Sequence, residues 1–424
     1  MRDHVPFSSC GLAALLGLFS VLPLQSADWP QWRGPTRDGI SKETSLLKEW
    51  PKEGPRLAWQ VKDLGLGYST PSIAAGRLYV LGNEGAENEF VEARSAADGK
   101  KLWSTRIGKV GSNQGPQYPG ARSTPTVDGA VLFALGSDGD LVCLETENGK
   151  PAWTKNLRTE FKGVPGNWAY SESPLVDGDT LLCTPGGAEA TVVALDKKTG
   201  RVRWKAALPD ADQASYASAS VTTLGGTRQY IQFVQKGVVG LDAATGRLLW
   251  HYGKTADGSP ANIPTPIVRD NLVYSGAGRS GGGLARIQGS GGKFEATEVY
   301  FAVKLPTAIG GAVLVGENLF GTTGQALLCV DFKSGRLQWE DRSVAPASVC
   351  AAEGLLYVHS ENGPMALVEA SPEGYREKGR FVPAPSPDRA TARAKAWAYP
   401  AIADGHLFLR DMSYLSCYDL RAGK

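Results

Sequence analysis

The stretch GLDAATGRLLW (Gly240–Trp250) places a carboxylate, a hydroxyl, a guanidinium and a large aromatic ring within a few positions of one another. Carboxylate and hydroxyl oxygens such as those of Asp242 and Thr245 are able to bind a metal ion or a polar ligand. A ligand site normally occurs once in a chain, whereas a structural element recurs. The number of copies of this stretch therefore decides between the two.

The stretch has four further copies. In every copy a glycine precedes a tryptophan by four residues, and the pairs are Gly99 and Trp103, Gly149 and Trp153, Gly200 and Trp204, Gly246 and Trp250, and Gly335 and Trp339. The same turn is thus built again and again along the chain. We expect Asp242 to shape a turn and not to act as a metal ligand or a catalyst.

A second repeated element, roughly S-x-P-x-x-x-x-G-x-L, gives the number of units. Its copies begin near Ser69, Ser123, Ser171, Ala217, Ile263, Ile309, Ala347 and Ala398. Short apolar runs bounded by Gly, Asp and Asn, such as GRLYVLG, are typical of β-strands. Four such strands in a unit of roughly 45 residues form one propeller blade, and fixed periods of this size indicate a repeat architecture.

The two ends of the repeat predict how the ring closes. The last unit begins the motif as CYDLRAG (Cys417–Gly423), while an isolated Trp59 stands in PRLAWQV near the start. We expect the Trp59 segment to supply the outer strand of the last blade, which removes an unpaired sheet edge. The prediction is an all-β, eight-bladed β-propeller of four-stranded antiparallel blades over residues 55–424. The fifth and seventh units lack the tryptophan, so we expect altered outer hairpins there.

The best copies, Ala194–Trp204 and Gly240–Trp250, follow A-x-D-x-x-T-G-x-x-x-W. This pattern resembles the tryptophan-docking motif of the pyrroloquinoline-quinone (PQQ) type repeat, and the resemblance covers residues 55–424. It implies a propeller similar to those of quinoprotein dehydrogenases. It also resembles the propeller subunit of the outer-membrane β-barrel assembly machinery, which binds no quinone. The repeat by itself does not choose between these functions.

Each motif position has a physical role that can be predicted. The glycine suits a left-handed turn, and the tryptophan, Trp59 included, buries its ring between neighbouring blades. The first position is small, which makes Cys143, Cys329 and Cys417 buried free thiols in three different blades. Five cysteines, an odd number, follow residue 27, and no C-x-x-C occurs. This pattern does not indicate a disulfide framework.

The motifs that carry chemistry elsewhere fail here. GRSGG (Gly278–Gly282) fits G-x-S-x-G, but its flanks are β-like and His251, His359 and His406 stand in no partner motif. GSGGKF (Gly289–Phe294) lacks the spacing of a phosphate loop. The chain has neither H-E-x-x-H nor a calcium loop, nor the adjacent cysteines that the resemblance to quinoprotein alcohol dehydrogenases implies. We expect no catalytic residue, no metal and no cofactor, with PQQ and calcium as the alternative.

The channel mouth is the predicted binding surface. In a propeller the first strand of each blade lines the axis, so residues just before these strands face the channel. Aromatic rings with a few charges suit a ligand pocket or a peptide-binding face. Alternatively, these side chains plug and rigidify the ring. The candidates are Tyr68, Tyr118, Arg122, Trp168, Tyr170, Glu172, Tyr216, Trp397 and Tyr399.

Charge and the N-terminus constrain partners and location. The net charge of +2 gives no indication of nucleic-acid binding. Residues 1–27 resemble a secretory signal peptide, which predicts a periplasmic or extracellular protein without a transmembrane segment after cleavage; an N-terminal membrane anchor is the alternative. Residues 28–54 are expected to form an extended cap. The loop Phe381–Trp397 is a candidate partner contact.

These observations together favour a non-catalytic, exported and monomeric propeller. Its predicted role is that of a binding or scaffold module for a protein, a peptide or a cell-envelope component. The alternative is a PQQ-dependent oxidoreductase with a non-standard site.

Overall fold

The computed structural model describes residue 1 and residues 27–112, 120–259, 261–278, 280–388 and 394–422. Their strands form eight sheets, each built around four antiparallel strands, and they confirm the eight-bladed all-β propeller. The predicted signal peptide lies almost entirely outside the described residues, as does the middle of the loop before Trp397.

The blades follow one another along the chain, and within each blade the strands run in order from the axis outwards. Blade 1 consists of Ser72–Ala74, Arg77–Glu84, Asn88–Ser95 and Lys101–Gly108, and blade 2 of Thr126–Asp128, Val131–Leu135, Asp140–Glu145 and Pro151–Asn156. Blade 3 consists of Leu175–Asp177, Thr180–Cys183, Val192–Asp196 and Val202–Ala206, and blade 4 of Ser220–Leu224, Thr227–Val234, Gly237–Asp242 and Leu248–Tyr252.

Blades 5 to 8 continue the ring. Blade 5 consists of Ile267–Arg269, Leu272–Ala277, Gly281–Ser290 and Lys293–Ala302, and blade 6 of Ala312–Val315, Asn318–Thr322, Leu327–Asp331 and Leu337–Asp341. Blade 7 consists of Ala347–Ala352, Leu355–Ser360, Met365–Glu369 and Glu377–Phe381, and blade 8 of Ala401–Ala403, His406–Asp411, Tyr414–Asp419 and Arg56–Val61. The helices described are one α-helix, Leu157–Phe161, and the 3₁₀ turns Pro209–Ala211 and Lys254–Ala256.

The apolar runs of the sequence form the two central strands of each blade. In blade 2, Val131–Leu135 and Asp140–Glu145 are buried along almost their whole length, whereas the outer strand Pro151–Asn156 is exposed or half-buried. Both faces of a central strand are covered because each blade packs between two others. This explains why these runs are continuous and not alternating.

The ring closes as predicted. Arg56–Val61 runs antiparallel to Tyr414–Asp419, with Arg56 opposite Asp419 and Val61 opposite Leu415. The last blade therefore takes its outer strand from the beginning of the propeller. No unpaired edge remains between the first and last blades at this position.

A repeated aromatic contact joins neighbouring blades. In six blades a ring N–H or O–H donates to a backbone carbonyl of the next blade at 2.7–3.1 Å. The donors are Trp59, Trp103, Trp153, Trp204, Tyr300 and Trp339. Beneath every one of these rings except Trp339 lies the motif glycine of the next blade: Gly149 has a φ of 74°, and a Cβ there would lie 2.5 Å from Trp103.

Blades 4 and 5 depart from this pattern in different ways. Tyr300 takes the position of the tryptophan that blade 5 lacks, and its hydroxyl donates to the carbonyl of Phe332 at 2.9 Å. Trp250 is buried between blades 4 and 5, but its Nε1 donates to Gln229 of its own blade at 2.8 Å. The Trp250 ring thus still packs between the two blades, but its hydrogen bond stays within blade 4.

Blade 7 receives its aromatic ring from the N-terminal segment, which we define as residues 27–54. Gly379 stands where the other blades carry the tryptophan, and its Cβ would lie 2.5 Å from the Cβ of Trp50. The Trp50 ring lies 5.9 Å from Tyr357, close to the 6.1 Å that separates Trp339 from Phe320 in blade 6. Trp50 therefore fills the place that the seventh repeat leaves open.

The rest of the N-terminal segment runs through the axial channel. Ile40–Ser41 adds a parallel strand to the inner strand of blade 7, and Trp29 exchanges two 2.8 Å backbone hydrogen bonds with Ile73 of blade 1. Further hydrogen bonds join it to four other blades: Val127 N–H to Pro30, Arg37 to Ser173, Arg33 to Ala312 and Ser41 to Ile402. This segment is a plug that contacts inner strands around the ring.

The cysteines behave as the motif predicts. Cys143, Cys183, Cys329, Cys350 and Cys417 are all buried and free. Cys143, Cys329 and Cys417 stand opposite the aromatic positions of blades 2, 6 and 8. The prediction of free thiols is confirmed.

Candidate binding site at the channel mouth

A cavity of about 310 Å³ opens at one end of the axial channel. We call it the mouth cavity. Its walls come from the segments that precede the inner strands of seven blades, together with one residue of the N-terminal segment. The lining residues are Trp32, Tyr68, Arg122, Trp168, Ser171, Tyr216, Ser218, Ala261, Ile263, Ile309, Trp397 and Tyr399.

The blade repeat explains why these side chains meet. Each wall segment leads from the outer strand of one blade to the inner strand of the next, so all of them reach the axis at the same face. Trp32 joins them because the plug holds it there: its Nε1 donates to Thr265 of blade 5 at 2.9 Å. Its ring meets Tyr399 edge-on, with the ring centroids 4.6 Å apart.

The structure brings together six of the nine residues predicted for this surface. They are Tyr68, Arg122, Trp168, Tyr216, Trp397 and Tyr399. Tyr118 lies outside the described residues. Tyr170 and Glu172 do not line the mouth cavity.

Tyr170 and Glu172 instead point into the body of the ring. Tyr170 is 1% exposed, and its hydroxyl donates to the carbonyl of Pro185 at 2.8 Å. Glu172 accepts a hydrogen bond from Gln232 of blade 4 at 3.0 Å and another from the N–H of Thr184. Burial raises the pKa of Glu172 to about 7. The Tyr170 hydroxyl is thus bound within its own blade, the Glu172 carboxylate joins two blades, and neither side chain lines the mouth cavity.

Six lining residues were not predicted: Trp32, Ser171, Ser218, Ala261, Ile263 and Ile309. Five of them are small or aliphatic, so their chemistry alone gives no signal. Their positions just before the inner strands would have identified them. Trp32 belongs to the predicted cap, and its place in the wall depends on the path of the plug.

Pairs of aromatic rings make the cavity wall. Tyr68 packs against Trp397 with the centroids 5.1 Å apart, and Trp168 packs against Tyr216 at 5.8 Å. The backbone N–H of Trp168 also donates to the Tyr216 hydroxyl at 3.0 Å. Burial raises the pKa of Tyr216, so this hydroxyl stays neutral at physiological pH. The wall is therefore apolar and held in place by its own contacts.

Arg122 supplies the positive charge of the mouth cavity. Among the described residues that line the cavity, it is the one cation, and none of them is a carboxylate. Burial lowers the pKa of Arg122, and the nearby Tyr68 and Glu89 partly oppose the shift. A guanidinium remains protonated in proteins. The cavity thus favours an apolar ligand that carries a negative group.

A wider depression continues from the mouth cavity across blades 5 to 7. We call it the groove; its volume is about 1000 Å³, and it shares Ala261, Ile263 and Ile309 with the cavity. Exposed Val303 lies in it, and its charged side chains are Lys304, Glu340, Arg342 and Glu361. The two hollows form one continuous surface.

The other sequence motifs prove to be turns. Asp242 Oδ1 accepts the backbone N–H groups of Ala244 at 3.0 Å and Thr245 at 2.9 Å, which confirms that it shapes a hairpin. Ser280 of the GRSGG stretch donates its backbone N–H to Ala277 at 2.9 Å. This places Ser280 in the turn between two strands of blade 5, away from the strand-to-helix context of a nucleophile.

A calcium-held quinone, which the repeat family implies as an alternative, does not fit these residues. The part of the chain that the structure describes contains no group of three or more His, Cys, Asp or Glu able to hold a metal ion. A hard cation needs several oxygen ligands, and the described wall of the mouth cavity offers no carboxylate.

Comparison with known proteins decides the family. The family model described as "Outer membrane protein assembly factor BamB" matches residues 87–339, more than half of the chain. The chain belongs to this family. The resemblance predicted from the repeat motif is thereby confirmed.

The relatives of this chain include both BamB proteins and quinoprotein dehydrogenases. BamB of Burkholderia pseudomallei is 24% identical over 282 residues, which cover 57% of this chain and 68% of that protein. Quinohemoprotein alcohol dehydrogenase ADH-IIG of Pseudomonas putida is 25% identical over 232 residues, covering 47% of this chain but only 30% of the dehydrogenase.

A solved structure supports the fold. BamB of Moraxella catarrhalis superimposes with a TM-score of 0.59 and 13% identity, covering 86% of this chain and 98% of that one. At this identity the likeness concerns the architecture.

In the described residues, none of the helices has the length and apolarity of a membrane span.

Proposed function

We propose that the chain is an exported, non-catalytic propeller that binds a protein, a peptide or a cell-envelope component at the mouth cavity. The observation that carries this proposal is the cavity itself: aromatic side chains from separate blades converge on one apolar hollow with a single cation among its described lining residues. Concave, mostly apolar surfaces with few polar groups are typical of binding sites.

The lining supports binding better than catalysis. General acid–base chemistry needs a titratable group within reach of the substrate. The nearby buried carboxylates are engaged elsewhere, since Glu89 accepts two hydrogen bonds from Ser137 of blade 2 at 2.8 and 2.9 Å. Glu172 is held by Gln232 in the same manner. These contacts join blades. Glu89 Oε1 has no partner among the described residues, but neither glutamate belongs to the described lining of the mouth cavity.

Family membership supports a role at the cell envelope. The BamB relatives are named for the assembly of outer membrane proteins, and the apolar N-terminal stretch supports secretion to the periplasm or the exterior. We place the mature chain there as a monomer that binds a protein partner or envelope component.

Site-specific photo-crosslinking in the native organism tests the proposal. A benzophenone amino acid at Trp397, in the mouth cavity, should give a discrete adduct with a partner. The same group at Val202, on the outer strand of blade 3 and 43% exposed, is the matched control. Adducts of equal yield at both positions, or none at position 397, would overturn binding at the mouth.

The absence of a quinone requirement is tested separately. Titration of the purified chain with PQQ and Ca²⁺ should give no saturable binding at micromolar concentrations. Saturable PQQ binding together with oxidation of an alcohol would show that the protein is an oxidoreductase and not a binding module.

A further inference from the structure

We propose that the partner is an extended peptide segment that inserts an aromatic side chain, flanked by an acidic residue, into the mouth cavity and continues along the groove. This inference rests on the proposed function and specifies the chemistry of the same site. It follows from the cavity wall, from unpaired donors in that wall and from the continuity of the two hollows.

The cavity wall selects a flat apolar group. Its volume of about 310 Å³ suits one or two rings, and its aromatic side chains offer both edges and faces. Aromatic pairs gain stability beyond area burial when their ring centroids lie about 4.5–7 Å apart. A sugar would bring many hydroxyls, each needing a hydrogen bond. The serines and the arginine of this wall are too few to satisfy them.

Donors in the wall select a negative group next to the ring. Trp168 Nε1 and Ser171 Oγ are buried in the cavity wall and have no hydrogen-bond partner among the described residues. Arg122 adds a guanidinium to the same wall. A buried donor without an acceptor destabilises the site, and a carboxylate oxygen would supply the missing acceptor.

The groove indicates that the ligand is longer than its anchor. It joins the cavity along Ala261, Ile263 and Ile309 and reaches Val303, an aliphatic side chain that is 71% exposed. A compound confined to the cavity would leave this surface uncovered. An extended chain advances about 3.3 Å per residue, so a few residues beyond the anchor suffice to cover it.

The charges of the groove agree with a polar peptide backbone. Lys304 forms an ion pair with Glu340, so that pair is neutral, and the charges of Arg342 and Glu361 offset each other in the groove. The net positive charge of the combined surface therefore comes from Arg122, beside the anchor. An acidic residue beside the aromatic ring complements it.

The test uses fluorescein-labelled peptides of the form Gly-Asp-X-Gly-Ser-Gly, where X is Phe, Tyr or Trp, and measures anisotropy with the full-length protein. At least one should bind with a micromolar Kd. Replacing X by Ala, or Asp by Asn, should weaken binding at least tenfold. Val303→Glu should weaken it at least fivefold, whereas Val382→Glu, at a site 66% exposed outside the groove, should not change it.

Arg122→Gln separates charge recognition from damage to the fold. It should lower the affinity for the Asp peptide to that for the Asn peptide while leaving the Asn peptide unaffected. If phenylacetate displaces the peptide as effectively as unlabelled peptide does, or if Val303→Glu leaves peptide affinity unchanged, the ligand is a small aromatic acid and not a peptide. Absence of binding by all three peptides overturns the inference. If crosslinks at position 397 persist in that case, the proposed function stands and only the peptide inference is wrong. If neither peptide binding nor a crosslink at position 397 is seen, both the inference and the proposed function are wrong.

Discussion

Gly149 shows what a single position contributes to the ring. Its φ of 74° is left-handed, and the Trp103 ring of the preceding blade occupies the space where a side chain would begin. One residue therefore satisfies a turn and a contact between blades. The same combination at Gly99, Gly200 and Gly246 explains why the glycine and the tryptophan recur together.

Gly149→Ala should lower the free energy of unfolding by about 2–4 kcal/mol, because a strained φ adds to a steric clash. Gly129→Ala is the control: its φ is also positive, at 60°, but no atom lies within 4 Å of the added Cβ. It should cost only about 1 kcal/mol. Urea unfolding of both variants measures the difference, and equal losses would show that the indole contact is unimportant.

Glu89 makes stability depend on pH. Burial raises its pKa to about 7, well above the value of an unfolded chain, and its second oxygen Oε1 has no partner among the described residues. The folded state then binds more protons than the unfolded state between about pH 4.5 and 7. The free energy of unfolding should fall as the pH rises through this range.

Glu89→Gln should remove this contribution, which amounts to at most about 3 kcal/mol. Glu172 has a raised pKa of about 7 as well, so about half of the decline should remain in the variant. Urea unfolding at pH 5 and pH 8 gives the slope. A variant with the same slope as the wild type would mean that Glu89 is ionised in the fold at both pH values.

The sequence predicts much of the site at this scale, but not the side-chain directions. The positions just before each repeat start predict the residues near the axis, including Arg122 and Trp168. It did not separate Tyr170 and Glu172, whose side chains turn into the ring. A local pattern shows where the backbone reaches the axis, whereas the direction of each side chain depends on packing against the neighbouring blade.

At the scale of elements, the N-terminal segment is part of the propeller in two ways. Its first half hydrogen-bonds to inner strands around the channel, and its second half lays Trp50 over Gly379 on the outer strand of blade 7. The seventh repeat departs from the motif because its aromatic ring comes from elsewhere in the chain. Tyr300 is the corresponding replacement within blade 5.

Trp50→Ala should cost about 3–5 kcal/mol, as much as Trp339→Ala in blade 6, because both remove a large buried ring between blades. Lys52→Ala, at an exposed position two residues away, should change stability by less than about 0.5 kcal/mol. Thermal unfolding of the three variants checks this. A loss at Trp50 as small as that at Lys52 would mean that the segment only rests on the surface.

The repeat predicted the blades and the closing strand because period and turn chemistry are local signals. The tryptophans, arginine and prolines of residues 28–54 predict an extended cap, but not its path through the channel. That path depends on backbone groups of the inner strands, for example Ile73 and Ala351, which become accessible only when the ring has formed. No residue pattern within the segment encodes these partners.

At the scale of the whole molecule, the buried thiols report on cooperativity. The five cysteines of the described residues lie in blades 2, 3, 6, 7 and 8, and burial raises their pKa, that of Cys143 to about 11 and that of Cys417 to about 12. In the native protein they should not react with a maleimide at neutral pH, because the thiolate is the reactive form.

With increasing urea, all five thiols should become reactive in one transition that coincides with loss of the folded signal. Each blade is held by two neighbours, so none can open alone. Mass spectrometry counts the labels at each urea concentration. Labelling of one or two cysteines at lower urea would show that blades open separately.

The pairing of Arg56–Val61 with Tyr414–Asp419 also governs the order of events during synthesis. The strand that closes the ring is made early, but its partner is the last strand of the propeller. Until then the growing chain carries an unpaired edge and a vacant place in blade 8. Native contacts of such sequence separation form slowly and leave apolar surface exposed to aggregation. A ribosome-stalled or truncated chain without its final strand should therefore depend on a chaperone, whatever the stability of the blades already made.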